Sequence, residues 1–159
     1  MTQKKEISPM VLLLVAAQCD EPFVVRCVCQ MRQRGLEVAL LGLYLGPVIG
    51  RHGVWLRPDQ SLAEMEPSDF HPPHLLILPG PQECTLQLLF NPRVPELIEL
   101  TLRGGGWVTA VSPKIRELLV RSGLSAPEGE QGFLFQGRLS DGEFITQLVV
   151  QAQLLREGI

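Results

Sequence analysis

The stretch WVTAVSPKIRELL, positions 107–119, holds the residue best placed to do chemistry. Trp107, Val108, Ala110 and Val111 form an apolar run that stops at Ser112, Pro113 follows, and Ile115, Leu118 and Leu119 then recur at helical spacing. A serine at a strand-to-helix corner can act as a nucleophile if a general base lies within hydrogen-bond reach and amide N–H groups face the developing oxyanion. A serine followed by proline at the first helical position is equally what an N-cap looks like. Other groups invite the same double reading. Cys84, just after LPGPQE, is either a thiol at the sheet's edge or a small buried hydrophobe. His71 and His74 flank two prolines and make half a metal site, so an exposed loop is expected there and no metal. Cys27 and Cys29 lie two apart in a predicted helix, where their side chains diverge, and reduced thiols are expected throughout.

The elements that would position these groups alternate between strand and helix. Met10 to Ala17 is apolar almost without a break, as in a parallel strand covered on both faces. Asp20 then offers an N-cap and Pro22 a tolerated first-turn position, and Val24, Val28 and Met31 mark a helix over 22–34 that ends at Gly35. A second strand is predicted over Glu37 to Leu43, and GPVIGRHGVWLRPDQSL reads as a small β excursion near 48–57. Strands at Leu75 to Leu78, 107–111 and Phe133 to Gln136 follow. Helices are predicted over Val94 to Leu102, 113–122 and about Asp141 to Arg156. The run Arg103-Gly-Gly-Gly106 precedes a strand, so it stops a helix and is no dinucleotide fingerprint. Strands separated by helix-length segments call for an α/β fold, a doubly wound and mostly parallel sheet with helices on both faces. Nothing divides residues 1–159, so one domain is expected.

Composition narrows the partners. The chain has 159 residues, 45% hydrophobic and 19% charged, which suits one self-sufficient core. A net charge of -3 with scattered lysines and arginines offers no face for nucleic acid. The run from Val11 to Ala17 is too short to span a bilayer or serve as a secretory signal, so no membrane association and a cytoplasmic location are expected.

Three ordered segments together resemble the ThiJ/PfpI family of the class I glutamine amidotransferase-like superfamily, relatives of the parkinsonism-associated deglycase. They are VLLLVAAQCDEPFVVRCVCQMRQRGLEVALLGL, then VWLRPDQSLAE followed by LLILPG, and finally GGGWVTAVSPKIRELL. The resemblance spans nearly the whole chain and implies a flavodoxin-like fold. It also implies a reactive cysteine where Ser112 stands and a carboxylate partner where Phe23 stands. Asp20 and Glu21 fall two or three residues early, and no histidine follows His74. The two oxyanion amides that the resemblance implies would belong to Pro81 and Pro113, and proline has no N–H to donate.

On this reading the site is vestigial and Ser112 caps a helix. The expected protein is catalytically silent, needs no cofactor and binds a small molecule or a protein partner. Asp20, Glu21, Gly80, Cys84 and Ser112 are the ligand-binding candidates. A rebuilt hydrolase or deglycase site around Ser112, Cys84, Asp20 or Glu21 is the alternative, and a subunit that completes another protein's site is a third. The resemblance further implies a two-fold dimer, for which Phe23, Cys27 and Met31 on the wide apolar face of helix 22–34 are the interface candidates.

Overall fold

The computed structural model describes residues 10–66, 68, 71–110, 117, 119 and 132–158. Its centre is a six-stranded parallel sheet ordered β5-β2-β1-β6-β7-β8. The strands are β1 (Val11–Val15), β2 (Val38–Gly42), β5 (Gln60–Ser61), β6 (Leu75–Leu78), β7 (Trp107–Ala110) and β8 (Phe133–Phe135). A separate antiparallel hairpin pairs β3 (Val48–Ile49) with β4 (Trp55–Leu56). The helices are α1 (Glu21–Gln33), α2 (Gln82–Phe90), α3 (Arg93–Arg103) and α4 (Asp141–Arg156). The predicted α/β fold class is therefore the observed one.

The core follows from the sequence. All residues of β1 and β6 are buried, as their unbroken apolar runs require when helices cover both faces. From β1 the chain crosses to β2 on one side, and from β6 it crosses to β7 on the other. Right-handed crossovers place α1 on one face and α2 and α3 on the opposite face. Phe23 of α1 stacks on Phe144 of α4 with ring centroids 6.1 Å apart, which joins these two helices in one layer.

Two elements escaped the sequence reading. Helix α2 has a weak stripe, with polar Thr85 buried and Phe90 86% exposed, so periodicity hides it. Strand β5 is two residues long and is defined only by its pairing with Leu41 and Gly42. The helix predicted over 113–122 lies almost wholly outside the described residues. No described helix is long and apolar enough to cross a membrane.

Candidate functional site

Because the crossovers from β1 and β6 diverge, their carboxyl-end loops open a crevice, the usual ligand position in open parallel sheets. The β1–α1 loop (16–20) and the β6–α2 loop (79–81) form its walls. Three of the predicted residues meet here. The Asp20 amide donates to Gly80 O at 2.9 Å, and the Cys84 thiol faces Ala16 O at 3.9 Å. The Thr85 hydroxyl donates to Pro79 O at 2.8 Å and fixes the start of α2. Asp20 is the N-cap residue of α1 as predicted, but its side chain makes no capping bond. Gln18 at the same corner adopts φ 66, the left-handed region that side chains other than glycine seldom enter.

The crevice holds two buried thiols. Cys19 and Cys84 are both 0% exposed. Burial, reinforced by the Glu21 charge, pushes Cys19 up to about 11. Burial, with a smaller contribution from Cys19, pushes Cys84 up to about 12. Both shifts favour the protonated thiol at neutral pH. All four cysteines are free, as expected.

Glu21 behaves differently from its neighbours. It is 2% exposed yet ionised, because it turns from the crevice to the β3–β4 hairpin. Its carboxylate accepts from His52 N at 2.9 and 3.1 Å and from Val54 N at 2.9 Å, and His52 Nδ1 lies 3.0 Å from Oε1. Burial alone would raise its pKa. The amides of Glu21, Val54 and His52, with the His52 ring, outweigh burial and hold it near 2. His52 was not among the predicted site residues. The only signal for it was a polar residue beside Gly53 in the β excursion.

The interface candidates need correction. Phe23, Cys27 and Met31 are 2%, 0% and 0% exposed, because the chain's own core takes up the wide face of α1. Burial pushes Cys27 up to about 12. The exposed apolar side chains of this region are instead Val25 on α1, Ile49, Val54 and Trp55 on the hairpin, and Tyr44 and Leu45 just after β2. Val25 lies one turn beyond Glu21 on α1, and the Glu21 carboxylate accepts from Val54 N.

Ser112 and Pro113 lie outside the described residues. The strand leading to them ends at Ala110, which pairs with Leu78 at the carboxyl edge. Pro81 is described, immediately before α2, where it supplies no amide proton. Next to Ala110 stands Gln136, another residue the sequence reading missed. Its amide N–H bonds Ala110 O at 3.2 Å, and its Nε2 donates to Leu139 O and Asp141 Oδ1 at 2.9 and 2.8 Å. Its Oε1 is buried without a hydrogen-bond partner among the described residues, as is Thr109 Oγ1. Among the described residues no three His, Cys, Asp or Glu side chains could hold a metal. His71 and His74 sit exposed in the loop before β6, at the opposite, amino edge of the sheet.

A cleft of about 380 Å³ opens beside the crevice, at the carboxyl ends of β1 and β2. Its lining is mostly apolar, from Val15, Ala16, Ala17, Leu43, Val48 and Ile49, with Gln87 of α2 as a polar group on its wall. A size of several hundred Å³, apolar walls and few polar groups are the common attributes of small-molecule sites.

No protein-family profile matches the sequence, and no curated protein matches it. Solved structures do match. Drosophila melanogaster DJ-1beta superposes with a TM-score of 0.73 at 20% identity, covering 96% of this chain and 97% of that one. Toxoplasma gondii DJ-1 in its oxidized form gives 0.71 at 18% identity, over 92% and 95% of the two chains. A DJ-1 superfamily protein from Salmonella typhimurium gives 0.69 at 17%, over 92% and 90%. This chain has the fold of the DJ-1/ThiJ/PfpI proteins.

Proposed function

We propose that the protein is a catalytically silent member of the ThiJ/PfpI group, a cytoplasmic homodimer that acts by binding a small molecule or a protein partner. The observation that carries this reading is the state of the thiols. Cys19 and Cys84 occupy the crevice where a nucleophile would be needed, yet both are wholly buried and protonated. Phe23 is committed to the core, Glu21 to the hairpin, and Pro81 has no amide to offer an oxyanion. The apolar cleft at the carboxyl ends of β1 and β2 supports a ligand with a compact apolar body. The exposed apolar side chains Val25, Ile49, Val54 and Trp55 support a second copy of the chain as partner.

Mass spectrometry of small molecules retained on the purified protein tests the binding role. The expected result is a retained compound that is lost in Ala17→Trp, whose indole would fill the cleft. Turnover of methylglyoxal or simple esters that disappears in Ser112→Ala would overturn the silent reading in favour of a serine-dependent enzyme.

A further inference from the structure

The carboxyl edge of the sheet carries two spaces of opposite character with one wall in common. Tyr44, Leu45, Gly46 and Pro47 line both the apolar cleft and a neighbouring cavity of about 520 Å³. Arg57, Asp59 and Glu64 bring charge to that cavity. Its carboxylates are already engaged. Asp59 Oδ2 accepts from Leu40 N at 2.8 Å and lies 3.5 Å from Arg32, and Glu64 Oε2 accepts from the Ser61 hydroxyl at 3.2 Å. Among the described residues, no charged side chain lines the cleft, and its polar side chains are Tyr44 and Gln87. Gln87 reaches the cleft because it lies three residues after Cys84 on α2, on the side of the helix that Cys84 turns toward Ala16 O. Leu88 beside it is wholly buried, which fixes the rotation of α2 and leaves Gln87 exposed at the cleft wall.

We infer that the cleft selects an uncharged ligand, a compact apolar body carrying one carboxamide-like group that pairs with Gln87. An ion placed there would lose hydration with no counter-charge to replace it, and a buried charge without a partner is strongly disfavoured. The Gln87 amide offers N–H donors and a carbonyl acceptor together, so it matches a group with the same pair. A carboxylate would leave the Gln87 carbonyl unmatched, and an ammonium would leave its N–H groups unmatched. The inference rests on the cleft being the ligand site. It needs no movement of the hairpin. Of the four apolar side chains proposed for the dimer only Ile49 also lines the cleft, so a dimer contact through Val25, Val54 and Trp55 uses different residues.

Benzamide, benzoate and benzylamine share one ring and differ in charge, and toluene lacks the polar group. Each is titrated into the intact protein, with the amide NMR shifts of Ala17 and Val48 as the signal from the cleft. Benzamide should bind roughly tenfold more tightly than benzoate or benzylamine, since neither ion finds a counter-charge. Gln87→Leu, at an exposed position on α2, should weaken benzamide about fivefold, the worth of one hydrogen bond, and leave toluene unchanged. Gln87→Glu should bring benzylamine ahead of benzamide, because a carboxylate on the wall supplies the missing counter-charge. Benzoate or benzylamine binding the unmodified cleft as tightly as benzamide would overturn the inference while leaving the cleft a ligand site. So would Gln87→Leu that leaves benzamide unaffected, or Gln87→Glu that leaves the order unchanged. If none of the four probes shifts the cleft amides, the ligand-site reading fails and the inference fails with it.

Discussion

Glu21 is a buried charge whose pKa falls, which reverses the usual effect of burial because backbone amides solvate the carboxylate in place of water. The folded pKa of about 2 lies below the ordinary 4.5, so the folded state binds fewer protons between these values. The stabilisation is present above pH 4.5 and is lost as pH falls toward 2. Urea unfolding at pH 5 and pH 3 should show that loss, and Glu21→Gln should flatten it. The thiols follow the opposite sign, since raised pKa values favour the protonated, folded form until pH climbs toward 11 or 12. At pH 8, iodoacetamide should therefore modify the native protein at Cys29 alone, the one exposed cysteine. Early labelling of Cys84 on a peptide map would count against an inert crevice. Ser112→Cys should likewise fail to yield a reactive thiolate near pH 6. Pro113 withholds the nearest amide, and Phe23, stacked on Phe144, supplies no hydrogen-bond partner.

Helix α1 has a buried apolar face and an exposed apolar residue, Val25, and substitutions should separate the core role of the first from the proposed dimer role of the second. Phe23 is buried against Phe144, so Phe23→Ala should cost about 3–5 kcal/mol of stability, as truncating a core aromatic does. Val25 is 45% exposed, so Val25→Glu should change monomer stability by no more than about 0.5 kcal/mol. Sedimentation at micromolar concentration should show a dimer for the unmodified chain. Val25→Glu and Trp55→Glu should each shift it toward monomer, because association would bury an unpaired charge. Dimers that survive both substitutions would move the interface elsewhere.

For the molecule as a whole, the proposed catalytic silence and the proposed capacity to bind share one cause. The parallel sheet provides a crevice at its carboxyl edge whatever side chains fill it, since diverging crossovers open it by topology alone. In this chain the Asp20 N to Gly80 O bond ties the two walls of the crevice together, and its two thiols are buried. The open space has shifted toward the ends of β1 and β2, under the hairpin.

Periodicity and propensity are local properties, and what they specify was legible in the sequence. The runs of β1 and β6, the helix from Asp141 to Arg156 and the mostly parallel character of the sheet all followed from patterns a few residues long. The departures at Phe23 and Pro81 were legible only against the resemblance to the ThiJ/PfpI family. Which face of α1 would meet solvent was not legible, because Phe23, Cys27 and Met31 read alike as interface or core until α4, more than a hundred residues later, was placed against them. The same holds for Glu21. Its neighbours in sequence suggest a crevice carboxylate, while its partners are amides thirty-one and thirty-three residues away, and only folding could bring them within 3 Å.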